Sequence, residues 1–290
     1  MKQIGVSLFF WMMCCTCVAQ VAYSVSYPEV TVVDQRIKEA VGASITELDT
    51  VSVKLYRNRG LRQLLELEAF IATRSYGPGG IATFSIRGSG SQHPQVVWEG
   101  IPINDPMLGQ TDLAAISLAG ISNAKIHYGA AGLTNNSGGI GGTLELLTLP
   151  ERTKDGIDAR LEATAGSFGT YGVQFQLRHK HKRIFGTTSL EYFTAQNNFT
   201  FTNLASIARE EKEMTHAAVE RIGVTRSMGV HINDKNSVRL NVNYSQASRE
   251  LPPTMLMAQT NEELFDRDVW AVLNWKRFGK KSVLSVSGSY

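Results

Sequence analysis

From about residue 156 onward, apolar and polar side chains alternate along the sequence, which restricts this part of the chain to β-sheet with two unlike faces. In residues 157–165 the odd positions hold Ile, Ala, Leu, Ala and Ala, whereas the even positions hold Asp, Arg, Glu and Thr. The same alternation recurs in residues 171–178 and 238–245. Because successive side chains of a strand point to opposite faces, each segment predicts a strand with one apolar and one polar face.

The connections between these predicted strands differ systematically in length. Short turns are expected at 234–236 and 279–281, and long polar loops at 197–215 and 250–265. Strands of about ten residues joined in this way are typical of a transmembrane β-barrel with lipid outside and water inside. A soluble β-sandwich would also alternate, but the unequal connections and the aromatic residues near the predicted strand ends favour the barrel.

The N-terminus reads as an export signal. Lys2 precedes an apolar run over residues 4–15, which is too short to span a bilayer as a helix, and small residues lead up to Ala19. We expect cleavage after Ala19, which makes residues 1–19 the signal peptide; a lipoprotein signal, the alternative, lacks the expected residues before any cysteine. All three cysteines lie inside the signal, so the mature chain has no thiol for disulfides or metal sites.

Two further regions lie between the signal and the alternating segments. Residues 20–45 are polar, apart from a short β-prone run, and we expect them to be mobile. That run consists of Glu29, Val30, Thr31, Val32 and Val33. Residues 46–150 mix an amphipathic helix at 61–70 with predicted strands, so we expect an α+β domain. The predicted strands are 82–87, 95–99, 123–128 and 142–149, with a short helix at 113–118.

The glycine-rich stretch from Gly77 to Gly100 does not predict phosphate binding. No G-x-x-x-x-G-K-[ST] motif occurs, and Gly88 and Gly90 are followed by Pro94 and a second strand rather than by a helix. Glycines that allow tight turns explain the stretch better. Of the six histidines only His179 and His181 are close in sequence, at a basic turn, so neither a catalytic nor a metal site is predicted.

Four sequence blocks, in this order, resemble the plug domain of TonB-dependent outer-membrane receptors. They are residues 74–88 (RSYGPGGIATFSIRG), 96–103 (VVWEGIPI), 121–129 (ISNAKIHYG) and 138–148 (GGIGGTLELLT). The resemblance implies a TonB-box-like segment at residues 29–33, a plug domain over residues 46–150 and the first part of an outer-membrane β-barrel over residues 151–290. The expected fold is thus an α+β plug followed by about seven antiparallel strands of a transmembrane barrel.

The resemblance also implies roles for individual plug residues. We expect Arg87 to be buried and paired with a barrel carboxylate, and the other plug positions to shape turns and close contacts. The expected structural residues are Arg87, Gly88, Glu99, Gly100, Gly129, Gly138, Gly139, Gly141 and Gly142.

The plug loops most closely resemble those of cobalamin-type receptors, which implies a bulky amphipathic ligand. The expected ligand contacts are Ser91, Gln92, His93, Asn104, Asp105, Met107, Leu108 and Gln110. Siderophore or oligosaccharide uptake is the alternative, and a passive outer-membrane barrel or adhesin is another. The implied partners are a TonB-type periplasmic coupling protein, a small-molecule nutrient and outer-membrane lipid; no cofactor or nucleic acid is expected.

Strand number sets a further expectation. Plugged transporters of this kind have barrels of about 22 strands, and about seven strands cannot enclose a plug because lumen width grows with strand number. We therefore expect the chain to be a C-terminally shortened piece of such a receptor.

Overall fold

The computed structural model describes residues 44–78, 80–129, 139, 141–148, 154–205, 207, 209–253, 261–279 and 282–289. The predicted signal peptide at 1–19, the segment Glu29–Val33 and Gly138 lie outside the described residues. We call residues 44–148 the N-terminal region. Strand β1 begins at Ser44, slightly before the predicted start of the α+β domain.

Two helices and seven strands make up the described part of the N-terminal region. The helices are α1 (Thr50–Tyr56) and α2 (Leu61–Glu68). The strands are β1 (Ser44–Leu48), β2 (Ala72–Ser75), β3 (Ala82–Ser85), β4 (Gln95–Trp98), β5 (Ile101–Pro102), β6 (Ile121–Tyr128) and β7 (Gly142–Thr148).

Both helices form because local signals agree with burial. The carboxylate of Asp49 caps α1 by accepting hydrogen bonds from the backbone N–H groups of Val51 and Ser52, at 3.1 and 2.9 Å. In α2, Leu61, Leu64 and Leu65 are spaced for one face, and all three are fully buried. The predicted helix at 61–70 is thus confirmed with a slightly earlier end.

The core of the N-terminal region lies between these helices and a five-stranded sheet. The strand order is β1-β6-β7-β4-β5, in which only the β4–β7 pair is parallel, while β2 and β3 form a separate hairpin. The helix leucines pack in one apolar cluster with residues of the sheet such as Ile126, Leu144 and Leu146. The start of β4 after Pro94, the end of β6 at Tyr128 and the start of β7 at Gly142 lie side by side. The loops attached to these three strand ends therefore lie on the same side of the sheet.

A seven-stranded antiparallel sheet, which we call the large sheet, follows. Its order is β16-β15-β14-β13-β10-β9-β8, which confirms the expected number of about seven strands. The strands are β8 (Gly156–Gly166), β9 (Thr170–His181), β10 (Ile184–Ala195), β13 (Val219–Asn233), β14 (Asn236–Glu250), β15 (Glu263–Phe278) and β16 (Val283–Ser289). Connections of two residues, 182–183 and 234–235, lie at one end of this sheet, whereas 196–218 and 251–262 lie at the other.

The long connection 196–218 contains a small hairpin of β11 (Thr200–Thr202) and β12 (Glu211–Glu213). Within the described residues, no helix is long and apolar enough to cross a membrane.

The two faces of the large sheet have the polarity expected for a barrel wall. Leu161, Phe175 and Leu190 lie opposite one another on neighbouring strands, and Leu161 and Leu190 are exposed. One residue further along, Gln174 and Glu191 also lie opposite one another, and both are buried. Burial of the polar face and exposure of the apolar face reverse the arrangement of a soluble sheet, as lipid outside and a polar interior require.

One predicted element is wrong. Residues 113–118 form a turn followed by irregular chain and not a helix. In a helix the carbonyl of Ala114 would accept from the N–H of Leu118. Here that carbonyl accepts from Arg221 Nη1 of the large sheet at 3.4 Å instead. The segment also begins against β3, because the carboxylate Oδ1 of Asp112 accepts hydrogen bonds from the backbone N–H groups of Ala82 and Ala114 at 2.9 and 3.0 Å.

Candidate functional site

The boundary between the N-terminal region and the polar face of the large sheet contains three buried arginines. Arg57, Arg221 and Arg249 are 2%, 6% and 1% exposed. An arginine cannot lose its charge in a protein, so each must be satisfied where it lies. Their partners identify where the two parts of the molecule are joined.

Arg249 on β14 joins the large sheet to the turn at residue 112. Its guanidinium Nη2 lies 2.6 Å from Asp112 Oδ2 and also contacts the carboxylate of Asp266 on β15. Its Nη1 donates to the carbonyl of Gly80 at 3.4 Å. Because Asp112 Oδ1 already holds Ala82 and Ala114, this one carboxylate connects the N-terminal region with the large sheet.

Arg221 on β13 forms the second buried ion pair. Its Nε and Nη2 donate to Glu191 Oε1 at 3.0 and 2.5 Å, and its guanidinium stacks 5.2 Å from the ring centroid of Phe193. The other oxygen of Glu191 accepts a hydrogen bond from Ser117, while Arg221 Nη1 donates to the carbonyl of Ala114 at 3.4 Å. Both members of a pair within the large sheet therefore also bind the N-terminal region.

The residue opposite Glu191 explains how Ser117 can come so close. Gly223 pairs with Glu191, and a Cβ atom at Gly223 would lie 2.7 Å from Ser117 Oγ. A larger side chain there would force Ser117 to shift away from Glu191.

Polar contacts continue along the boundary beyond the two ion pairs. Thr225 donates to the carbonyl of Ala119 at 3.0 Å. Asn241 Nδ2 donates to Glu99 Oε2 at 3.5 Å, while Glu99 Oε1 accepts from the backbone N–H and the hydroxyl of Thr148 at 2.7 and 2.6 Å. Glu99 thus joins the end of β7 to the large sheet.

An aromatic contact crosses the same boundary. The ring centroids of Trp98 on β4 and Trp270 on β15 lie 6.0 Å apart at an interplanar angle of 48°. Trp98 is almost fully buried, so this pair is a local reporter of whether the N-terminal region lies on the sheet.

Arg57 occupies the end of α1 that faces β8 and β9. Its Nη2 lies 3.5 Å from the carbonyl of Ile121, and the neighbouring Asn58 donates to the Thr164 hydroxyl at 2.5 Å. Burial lowers the pKa of the Arg57 guanidinium, and the negative charge of Glu162 acts in the opposite direction. Arg57 is therefore a buried cation of the N-terminal region.

Arg87, for which we expected that role, is exposed in this structure, so the prediction of a buried Arg87 is wrong here. Arg87 adopts a positive φ of 53° at the turn after β3, and its guanidinium lies 5.2 Å from the ring centroid of Tyr128. The adjacent Ile86 takes the buried position instead. The sequence did hold a signal for the real partners, because Arg221 and Arg249 both fall on the polar face of their strands.

The glycines expected to be structural lie at turns and close contacts. Gly142 is constrained in two ways, since its φ is 144° and a Cβ atom there would lie 2.6 Å from the carbonyl oxygen of His127. At Gly141 a Cβ atom would lie 2.6 Å from Ser89 Oγ, which brings this loop against the one at 89–93. Positive φ angles are also found at Gly88, Gly100 and Gly129, and a Cβ at Gly139 would clash with Thr143.

The predicted ligand contacts fall on two neighbouring loops, 91–94 and 103–110, which we call the paired loops. Asn104 ties them together, because its Oδ1 accepts from the Val96 N–H at 2.8 Å and its Nδ2 donates to the Pro94 carbonyl at 3.1 Å. Ser91 Oγ donates to Gln110 Oε1 at 3.1 Å. These three side chains therefore shape the loops rather than project from them.

Other side chains of the paired loops project freely. Asp105 Oδ1 accepts the N–H groups of Met107 and Leu108 at 2.8 and 2.7 Å, which fixes a turn that leaves both apolar side chains outside. Met107 is 93% exposed, and Leu108, Gln92 and His93 are exposed as well. The resulting surface is apolar at its tip and polar at its sides.

The described residues hold no group of three or more His, Cys, Asp or Glu side chains that could bind a metal ion. His127 is committed to the N-terminal sheet, where its Nε2 lies 3.0 Å from Glu145 Oε2.

Comparison with known proteins gives a family match for the N-terminal region and a similar fold for most of the chain. Residues 38–143 match the family model of the TonB-dependent Receptor Plug Domain. No curated protein matches the sequence. Among solved structures, the siderophore receptor PirA from Acinetobacter baumannii is similar, with a TM-score of 0.65 and 12% identity over 88% of this chain and 40% of that one.

Two other solved structures are similar to the same extent. The ferric yersiniabactin uptake receptor FyuA from Yersinia pestis has a TM-score of 0.65 and 11% identity over 85% of this chain and 40% of its own. The copper transporter OprC has a TM-score of 0.64 and 12% identity over 85% and 36%.

The chain spans at most about two fifths of the length of these three structures. At such low identity they establish the fold, while the plug match adds support from the sequence itself. The chain therefore has the fold of a TonB-dependent receptor, in which a plug domain is followed by seven antiparallel strands of the barrel wall.

Proposed function

We propose that this protein is an outer-membrane receptor that takes up a scarce nutrient with energy from a TonB-type periplasmic partner. The observation that carries the proposal is the seating of the plug on a buried polar face whose opposite side is apolar and exposed. Such a wall suits lipid on one side and a plugged polar lumen on the other. Receptors of this class are transporters, so we assign the protein no catalytic role.

Energy coupling is assigned to Glu29–Val33. A β-prone run ahead of the plug suits β-augmentation, in which main-chain hydrogen bonds add a strand to the partner. Pulling on this tail would act on the plug, which is held on the wall by Asp112–Arg249 and by Ser117 and Ala114 on the Glu191–Arg221 pair. Breaking one member of a buried ion pair typically costs about 3–5 kcal/mol, so the plug should stay seated without such input.

The paired loops are the proposed ligand surface, and a cobalamin-like ligand suits them best. Met107 and Leu108 offer an exposed apolar tip, with Gln92 and His93 beside it for polar contacts. From residue 88 to residue 111 there is no Lys or Arg, and the acids are Glu99 and Asp105. A surface with acidic and without basic side chains favours a bulky amphipathic ligand over an anionic iron chelate, because it offers no positive charge to bind the chelate.

A siderophore remains the second candidate, because structures of similar fold include receptors described as siderophore or ferric yersiniabactin receptors. Ligand binding to the purified protein in detergent separates the two candidates. We expect saturable binding of cyanocobalamin that is weakened by Met107→Ser. The matched control is Leu67→Ser, which removes an exposed apolar side chain from α2, outside the paired loops.

Binding of a ferric siderophore instead of cyanocobalamin would reject the proposed ligand and keep the receptor function. Equal binding by wild type and Met107→Ser would reject the paired loops as the ligand surface. Binding of an oligosaccharide, or no uptake above passive leakage in cells that produce the protein, would support the remaining alternatives.

A further inference from the structure

Arg226 places a permanent positive charge on the exposed, apolar face of the large sheet. It lies two residues from Val224 and from Met228, which share its face of β13, and Met228 is 41% exposed. The intervening residues, Thr225 and Ser227, are buried on the polar face. The Arg226 guanidinium is therefore on the side of the wall that meets lipid, and an arginine cannot lose its charge there.

Arg226 lies near the middle of this face and not at its edges. On β13 the next charged residue of the same face toward the long connections is Glu220, six residues away, while Asp234 in the short turn is eight residues away. With about 3.3 Å per residue and a strand tilt of about 40°, these separations correspond to roughly 15 and 20 Å along the membrane normal. Both exceed the length of an arginine side chain, so Arg226 cannot carry its charge to either membrane surface.

The contacts of Arg226 leave its charge uncompensated. Its Nη1 donates to the hydroxyl of Thr188, which is its direct cross-strand neighbour on β10, and this bond keeps the guanidinium at its own level of the wall. Among the residues that the structure describes, no carboxylate forms an ion pair with Arg226. Charged side chains on the lipid face of a barrel are most destabilising at this depth, so the position requires an anionic partner from outside the chain.

The surface beside Arg226 and Thr188 is polar as well. Gly186 lies on the same face of β10, two residues before Thr188, with His179 of β9 as its cross-strand neighbour. A Cβ atom at Gly186 would lie 2.7 Å from His179 Cε1, so the imidazole lies directly over the glycine. We call Arg226, Thr188 and His179 the outer polar patch. Its groups can donate hydrogen bonds and carry one fixed positive charge, so the patch complements a carboxylate.

We propose that the outer polar patch docks a second protein of the same membrane, which presents an Asp or Glu side chain to Arg226 inside the bilayer. A carboxylate is the side-chain group that pairs with a guanidinium through two parallel hydrogen bonds. Lipid phosphates lie at the membrane surfaces, beyond the reach of this guanidinium. A second copy of this chain would present residues of the same depth, and the described strands of the large sheet hold no acid on this face at that depth. The occupant is therefore a different protein, and its docking is separate from ligand binding at the paired loops.

Photocrosslinking in outer membranes of cells that produce the full-length receptor tests this docking. Photoreactive benzoylphenylalanine replaces Met228, beside Arg226, or Val286 on β16, three strands away on the same face. The Met228 position should give one discrete crosslinked protein, and mass spectrometry should find an Asp or Glu in its crosslinked, membrane-embedded segment. Arg226→Leu should lower the yield about tenfold because the charge-assisted pair is lost, and Arg226→Lys should keep a higher yield because it keeps the charge. The Val286 position should give only lipid adducts.

Charge reversal identifies the ion pair itself. Arg226→Glu should abolish the crosslink, and changing the mapped acid of the partner to Arg should restore it. A crosslinked segment without an acid, a product made of two copies of the receptor, or lipid adducts alone at Met228 would overturn the proposal, whether or not Arg226→Leu folds.

Stability of the purified full-length receptor in vesicles distinguishes a protein from lipid as the occupant. In vesicles of phosphatidylethanolamine and phosphatidylglycerol the partner is absent and Arg226 faces lipid, so Arg226→Leu should melt at a higher temperature than wild type. Met228→Leu, on the same face, is the matched control and should melt as wild type does. If Arg226→Leu is no more stable than wild type, lipid and Thr188 already satisfy the charge, and the docking proposal is contradicted.

Discussion

Replacing Asp112 should loosen the plug from the barrel wall more than any other single carboxylate substitution in its loop. The carboxylate makes two kinds of contact, since Oδ1 accepts two backbone N–H groups within the plug and Oδ2 pairs with Arg249 of the wall. Asp112→Asn keeps an oxygen for the two N–H groups, but it removes the charge and places an NH₂ donor beside Arg249. Asp112→Ala removes both kinds of contact.

The expected magnitudes follow from burial. The Asp112 side chain is 19% exposed and that of Arg249 only 1%, so the pair is largely desolvated. Leaving one member of a buried ion pair without its partner typically costs about 3–5 kcal/mol, and we expect Asp112→Asn to cost about 2 kcal/mol because Asp266 remains beside Arg249. The further loss of two backbone hydrogen bonds, about 1 kcal/mol each, brings Asp112→Ala to about 4 kcal/mol.

Urea unfolding in detergent, followed by tryptophan fluorescence, measures these costs. Urea is uncharged and does not screen the ion pair, and the Trp98–Trp270 contact reports whether the plug is seated. Asp105→Asn is the matched control, because Asp105 is an exposed acid of the neighbouring loop that also accepts backbone N–H groups. If Asp112→Asn is no less stable than Asp105→Asn, the buried ion pair does not hold the plug.

Three further predictions concern the backbone, acid stability and processing. Gly142→Ala should lower stability by about 2–4 kcal/mol, because its Cβ would meet the His127 carbonyl, whereas Gly88→Ala, with open space around it, should cost only about 1 kcal/mol; melting temperatures of the two variants test this. The Ser52 N–H lowers the pKa of Asp49, so its capping contribution of about 1 kcal/mol is present above the ordinary pKa of 3.8 and is lost as pH falls through the lower folded-state pKa. Wild type and Asp49→Ala should therefore differ in stability at neutral pH and converge in acid, and a constant difference would contradict the capping role. Intact mass of the exported protein should correspond to a chain that begins at Gln20, and a lipidated Cys17 would contradict the predicted cleavage.

The alternation of side chains was sufficient to predict three strands of the large sheet, at 157–165, 171–178 and 238–245, and the polarity of its faces. Alternation with a period of two residues depends only on which face of the sheet meets lipid. The sequence alone therefore places residues such as Leu161 and Gln174 on opposite faces. Helix α2 could also be predicted from periodicity, because Leu61, Leu64 and Leu65 follow the helical period and form one apolar face.

Helix α1 was missed because its sequence, TVSVKLY, alternates like a strand and holds two valines. The Asp49 cap and the burial of Val53 and Tyr56 outweigh that local preference. The partners of the buried charges were beyond sequence reasoning altogether. Arg249 and Asp112 are far apart in the chain, and only the seating of the plug decides that this arginine, and not Arg87, meets a carboxylate across the boundary.

Energy-coupled uptake is the central claim, and Val32→Pro tests it most directly. Proline removes a backbone N–H that an added strand needs, so coupling should fail while the ligand surface stays intact. In the full-length receptor, the measurement compares radiolabelled cyanocobalamin bound at the cell surface with cyanocobalamin accumulated inside, with a ferric siderophore assayed in parallel. Ala22→Pro, in the same tail but outside Glu29–Val33, is the control.

We expect Val32→Pro to abolish accumulation and to leave surface binding unchanged, with Ala22→Pro behaving as wild type in both. An uncoupler that collapses the proton gradient should reproduce the Val32→Pro result in wild-type cells. Accumulation that persists in Val32→Pro and in the presence of the uncoupler would show passive passage through the barrel and would contradict a TonB-coupled receptor.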